Sequence, residues 1–179
     1  MKTQQKFDVT TEYKGISGIY FKKLLRVIIQ IGKLKRENLR VLDFGCGTGQ
    51  LKKMVIANHP KTKVINYDIL ENLSEVKNWQ NESFDIVVAN EVFHTFQKDK
   101  LESLILEFKK NNPKLEFIVG ISKQSLLNTI GKYLLMQTGS HAFTVLSPKD
   151  EIDILCRHLD IIDHKSVWYL ADVFRLKFK

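Results

Sequence analysis

The chain has 179 residues, 44% of them apolar and 27% charged, with two cysteines and a net charge of +8. That length fits one domain, and the composition excludes intrinsic disorder, collagen and coiled coil. Cys46 and Cys156 have no paired spacing, which excludes a disulfide framework and a Cys-x-x-Cys zinc site, and no apolar run is long enough for a transmembrane segment.

The basic charge is uneven. Residues 1–40 hold ten Lys/Arg against Asp8, Glu12 and Glu37, whereas residues 41–179 hold eighteen against seventeen acids. Residues 1–39 are therefore read as a basic N-terminal arm with an amphipathic helix, and residues 40–179 as the domain proper. The opening residues lack the apolar stretch of a signal peptide, so a cytoplasmic protein is expected. In 16–34, Phe21, Leu24, Leu25, Ile28 and Ile31 recur at helical spacing, opposite Lys22, Lys23, Arg26, Gln30 and Lys33. A helix packed on the domain is predicted. Its basic face is open to an anionic partner: nucleic acid, a peripheral membrane surface or an acidic substrate.

From residue 40 strand and helix alternate. Strands are predicted at 40–44, 63–69, 84–91 and 115–122, and helices at 48–59, 98–112 and 123–138. Ser147 and Pro148, followed by Asp150 and Glu151, open a further helix through His158. The last two apolar runs, DIIDHKSVWY and ADVFRLKF, form an antiparallel hairpin. The pattern is that of an α/β fold: a doubly wound, mostly parallel sheet with helices on both faces and a C-terminal hairpin.

The stretch Asp43-Phe44-Gly45-Cys46-Gly47-Thr48-Gly49-Gln50 is the most informative. Glycines between a strand and a helix let the backbone approach a ligand and leave amide N–H groups facing it. A dinucleotide fingerprint is G-x-G-x-x-G, whereas here the spacing is G-x-G-x-G with Gln50 at the third glycine's place. Asp43, at the strand end, repels a pyrophosphate and attracts an ammonium group. Asp68, which ends the second strand, is placed to accept from ribose hydroxyls. A nucleoside with a cationic end fits this crevice, and S-adenosylmethionine is such a molecule.

With these residues the chain resembles the class I S-adenosylmethionine-dependent methyltransferases, most closely the type 11 group, through VLDFGCGTGQL (41–51), NYD (66–68) and SFDIVVANEVFHTF (83–96). The resemblance covers about 40–179. It implies that Asp43, Phe44, Gly45, Cys46, Gly47 and Gly49 hold the methionyl part of the cofactor. Asp68 and Ile69 meet the ribose side, and Asn90 and Glu91 lie under the cofactor. The chain departs from the family between Asp68 and Asp85, only 17 residues apart, where the family has a helix and a third strand. The third strand is expected to be short or missing, with Asn78 at the position of the adenine-binding acid and Trp79 beside the ring.

Methyl transfer rests mainly on holding donor and acceptor in line, and a base serves only if the acceptor must lose a proton. His94 and His141 are the candidate catalytic residues. His59, His158 and His164 are read as solvent-facing. Cys46 is read as a packed residue of the loop, and no metal site is expected. The turn after the 84–91 strand lacks the Pro-Pro-aromatic sequence of amino methyltransferases acting on bases. A small-molecule or lipid-like acceptor is therefore favoured, with the apolar segment 123–147 as its lid. Two alternatives stay open: an RNA or DNA methyltransferase that uses the basic arm, and a non-catalytic S-adenosylmethionine-binding module.

Overall fold

The computed structural model describes residues 15–123 and 144–179, so the expected helix at 123–138 beyond its first residue, the lid up to residue 143 and His141 lie outside the described residues. Strands β1 (Arg40–Phe44), β2 (Lys63–Tyr67), β3 (Ile86–Asn90), β4 (Glu116–Ser122), β5 (Leu159–Val167) and β6 (Ala171–Phe178) form one sheet in the order β2-β1-β3-β4-β6-β5. The first four run parallel, and β6 pairs antiparallel with both β4 and β5. The helices are α1 (Gly15–Ile31), α2 (Gln50–Asn58), α3 (Lys98–Asn111) and α4 (Pro148–His158).

Alternation along the buried strands sends successive side chains to opposite faces. Val41, Ile86, Val88, Ile118 and Val173 pack with Leu24, Val27 and Ile28 of α1 and Leu51 and Val55 of α2. Leu42, Val87, Ala89, Phe117 and Leu176 pack on the other face with Leu101, Ile105 and Phe108 of α3 and Ile154 and Leu155 of α4. The result is a sheet covered on both sides, as continuous apolar strands require. The helix start at Ser147 is as expected: its hydroxyl accepts from the Asp150 amide at 3.1 Å, with Pro148 in the first turn.

Among the described residues no strand lies between β2 and β3, where the third strand is expected to be short or missing; 69–85 contain one short 3₁₀ turn, Trp79–Asn81. The edge of β2 is closed by a loop instead. The Glu75 amide donates to the Asn66 carbonyl at 2.9 Å, and the Glu75 carboxylate accepts from the Asn66 amide at 3.0 Å. One residue thus occupies both hydrogen-bonding positions that a neighbouring strand would take, and Lys52 pairs with its other carboxylate oxygen. Ser74 does the same one step on: its hydroxyl accepts from the Asp68 amide and donates to the Asp68 carbonyl. An open edge would template pairing with another chain.

Two histidines depart from expectation. His158 is half-buried and meets Glu102 at 2.9 Å, and His59 lies partly buried against the cleft described below. His164 is exposed, stacked on Phe174 and in contact with Asp172.

Candidate active site

Successive strands lie on opposite sides of β1, so the crevice at the carboxyl ends of β1 and β3 is the switch point where α/β sheets bind ligands. A cleft of about 1610 Å³ opens there. Its floor includes Asp43, Gly45, Cys46, Gly47 and Thr48 from the end of β1, and its far side Asn90, Glu91, Val92, His94, Thr95 and Ser122. The third wall is α1, with Tyr20, Phe21, Lys22, Leu25 and Arg26.

Gly45 and Gly47 both have positive φ, 76° and 52°. A Cβ on Gly45 would stand 2.3 Å from Val92, so both the backbone and the space demand glycine. A Cβ on Gly47 would meet nothing within 4 Å: the loop there is bare backbone facing the cleft. The Gly45 and Cys46 amides donate to the Tyr67 carbonyl, tying the loop to β2. The Gly47 amide donates to Asp68 Oδ2 at 3.0 Å, while Asp68 Oδ1 accepts from the Leu70 amide. Asp68 is therefore held against the loop it serves.

Asp43 is 5% exposed, and its Oδ2 has no partner among the described residues. Burial, reinforced by the charge of Asp68, pushes its pKa up to about 7. A buried carboxylate oxygen with no partner among the described residues, beside bare glycine backbone, can accept from a cation. The donor set fits the ammonium of S-adenosylmethionine and disfavours a pyrophosphate, which would meet two acids. Cys46 lies in surroundings that favour the protonated thiol. Its thiol hydrogen bonds to the Gly47 and Leu73 carbonyls, and burial with the charges of Asp43 and Asp68 pushes its pKa to about 12.

Asn90 lies at the end of β3 with its Oδ1 buried and unpartnered among the described residues. Gly120 lies against it, since a Cβ there would stand 2.2 Å from that oxygen. Glu91 follows at φ 58°, unusual for a residue with a side chain, and its carboxylate accepts from Ser122 at 2.7 Å. His94 lies half-buried in the next turn, and its carbonyl accepts from the Val145 and Leu146 amides ahead of α4.

Not every expected residue reaches the cleft. Trp79 is 3% exposed and stacks on Phe108 at 4.0 Å, so its indole belongs to the core and offers no face to an adenine. The Phe44 ring is likewise buried, between Tyr67, Trp79 and Phe108. Asn78 is exposed at the start of the 3₁₀ turn. Ile69, 75% exposed beside Asp68, is the apolar surface that remains on that side.

Sequence reasoning misses Glu151. Its position is that of a first-turn acid favoured by the helix dipole, yet it is 1% exposed, with Oε1 unpartnered among the described residues. Burial, then the charge of Glu91, pushes its pKa up to about 8. Spacing to Ile154 and Leu155, three and four residues on, is the available signal that it shares the buried stripe. Among the described residues no His/Cys/Asp/Glu group is arranged for a metal, and no helix is long and apolar enough to cross a membrane.

A family model described as a methyltransferase domain matches residues 17–118. Among solved structures, a protein from Pyrococcus horikoshii superposes with a TM-score of 0.67 at 14% identity, covering 90% of this chain and 92% of that one. Magnesium protoporphyrin IX methyltransferase from Synechocystis, with bound SAH, gives 0.58 at 15% identity, covering 94% and 90%. N,N-8-amino-8-demethyl-D-riboflavin dimethyltransferase from Streptomyces davawensis gives 0.63 at 14% identity over 91% of this chain. The chain spans only 56% of that last enzyme. No curated protein sequence matches. The family match runs through the glycine loop, Asp68 and Asn90 and takes in more than half of the residues: the chain belongs to the methyltransferase domain family, and S-adenosylmethionine is its methyl donor.

Proposed function

We propose that the protein methylates a small or lipid-like acceptor with an apolar body and an anionic group, at oxygen, nitrogen or carbon. It works in the cytoplasm with the basic face of α1 turned to an anionic partner. The observation that carries this reading is the continuity of the cleft. One opening joins Asp43 and the bare loop at Gly47 to Glu91, His94 and Ser122, and then to a wall of Phe21 and Leu25 edged by Lys22 and Arg26. Apolar side chains suit the body of an amphiphile and the cations its charged group. Two of the structural neighbours are methyltransferases named for magnesium protoporphyrin IX and a riboflavin derivative, which agrees with a small acceptor.

S-adenosylmethionine supplies an electrophilic methyl group on a sulfonium, and the rest is the work of the chain. Asp43 would hold its ammonium, Asp68 its ribose hydroxyls and the loop backbone at Gly47 its methionyl part, with Asn90 and Glu91 completing the site and Ile69 available to the adenine side. His94 lines the opening and is the candidate base for the acceptor's proton, a role for which the sequence also offers His141. Glu91, oriented by Ser122, touches cofactor or acceptor.

Calorimetric titration with S-adenosylmethionine, S-adenosylhomocysteine and NAD tests the donor site. The two sulfur nucleosides bind and NAD does not. Transfer of a labelled methyl group into a cell extract, split into organic-soluble and RNA fractions, then tests the acceptor. Label in the organic fraction supports the reading, and label confined to RNA refutes it.

A further inference from the structure

Four exposed apolar side chains lie on two neighbouring pieces of chain at the cleft end of the sheet. Ile16 and Ile19 on α1 are 71% and 60% exposed; Trp168 and Tyr169, in the turn between β5 and β6, are 48% and 78% exposed. The two pieces touch, with the rings of Tyr20 and Trp168 6.0 Å apart. The turn sits at the carboxyl end of β4, where Ser122 pairs with Ala171 and the Lys123 amide donates to the Leu170 carbonyl at 2.8 Å. Tyr20 and Ser122 both line the cleft, so the patch adjoins its mouth.

The turn is an unusual place for large aromatics. Trp168 and Tyr169 both have positive φ, 49° and 57°, in a hairpin turn that Asn and Gly fill without strain. Two rings are thus held outward in a conformation that disfavours them. On α1, Lys23 and Arg26 follow Ile16 and Ile19 at three- and four-residue steps on the solvent face, with Lys22 beside them. None of these three cations has an acidic partner among the described residues. An apolar tip, two interfacial aromatics and a cationic collar about 10 Å behind suit one kind of surface, since Trp and Tyr favour the headgroup level and Lys/Arg meet anionic headgroups. A second copy of the chain is disfavoured, because a symmetric pairing of this patch sets like-charged collars against each other.

We propose that Ile16, Ile19, Trp168 and Tyr169, backed by Lys22, Lys23 and Arg26, form a docking surface for an anionic lipid bilayer, which delivers an amphiphilic acceptor to the adjoining cleft. This deepens the reading of a lipid-like acceptor, but docking is measured without donor or acceptor, so either can fail alone.

The two tryptophans make the test direct, because Trp79 is in the core and Trp168 is at the patch. The full chain is mixed with phosphatidylcholine vesicles, with and without phosphatidylserine, and followed by tryptophan emission and co-sedimentation. Phosphatidylserine vesicles sediment the protein, shift its emission to the blue and shield it from an aqueous quencher, and Trp168→Phe abolishes the shift. Ile16→Ser with Ile19→Ser weakens vesicle binding about tenfold, and Lys23→Glu removes the preference for phosphatidylserine. Both variants bind S-adenosylhomocysteine as the wild type does. Equal behaviour with neutral and anionic vesicles, or no change in emission, overturns the proposal. So does burial of Trp168 by concentration-dependent dimerisation without lipid.

Discussion

Replacing Asp43 by asparagine separates what this carboxylate does for the ligand from what it does to the fold. Its pKa, carried from 3.8 to about 7 by burial and by Asp68, means that the ionised form is disfavoured by about 4 kcal/mol in the ligand-free protein. Between pH 4 and 7 the folded chain keeps a proton here that the unfolded chain releases. Stability therefore falls as pH rises through this window and levels off above pH 7. The neutral amide of Asp43→Asn escapes that loss: at pH 8 the variant is more stable than wild type, by up to about 4 kcal/mol, and near pH 4 the gain vanishes. Binding moves the other way. Affinity of the wild type for S-adenosylmethionine rises with pH through 7 as Asp43 ionises to meet the ammonium, whereas Asp43→Asn binds more weakly and without this dependence. Urea unfolding at pH 4.5 and 8, with calorimetry over the same range, reads both effects. A variant destabilised at pH 8, or a wild-type affinity flat from pH 6 to 8, would refute the assignment of Asp43 to the ammonium.

Three further outcomes follow from the site. Gly47→Val forces a branched residue into φ 52° and fills the bare face of the loop; it loses cofactor binding while retaining a cooperative thermal transition by circular dichroism. Asp68→Ala weakens S-adenosylhomocysteine binding by about 1.5–3 kcal/mol through lost charge-assisted hydrogen bonds, and calorimetry giving wild-type affinity removes Asp68 from the ribose. Glu151→Gln removes a carboxyl whose pKa stands at about 8. The wild type loses stability from pH 4.5 up through 8 on its account, so the variant is the more stable protein at pH 9 and gains nothing at pH 4, as urea midpoints will show.

The parts of the molecule legible in the sequence are those fixed by local pattern. RVLDF followed by three glycines reads as strand, loop and helix because periodicity and φ requirements are short-range. Asp68 could be placed because it terminates a strand whose end is marked by the residues themselves. Trp79 could not, since its role is set by what is missing: with no third strand beside β2, the space beyond Phe44 is filled by the indole stacked on Phe108. The brevity of 69–83 announces the missing strand, but not that Trp79 fills the space beside it. Glu151 faces Glu91 across sixty residues of chain, and His158 finds Glu102 across fifty-six. Long-range pairings of this kind depend on how helices seat on the sheet. The contact of Tyr20 with Trp168 is of the same sort, joining the two ends of the chain into one surface.

The loop that closes the edge of β2 is also the mounting of Asp68. Glu75 holds Asn66, Ser74 holds Asp68, and the Leu73 carbonyl accepts from Cys46 in the glycine loop. Opening of this segment frees the strand edge and, in the same motion, releases Asp68 and the glycine loop at Cys46. Binding and local opening are thereby linked: a ligand that needs Asp68 in place lowers the population of the open form in proportion to its occupancy. Amide hydrogens from Asn66 to Glu75 will exchange more slowly as cofactor is added. If Asp68 holds the cofactor as proposed, the ligand would do the work of the absent strand, and the sheet edge would be at its most secure with cofactor bound.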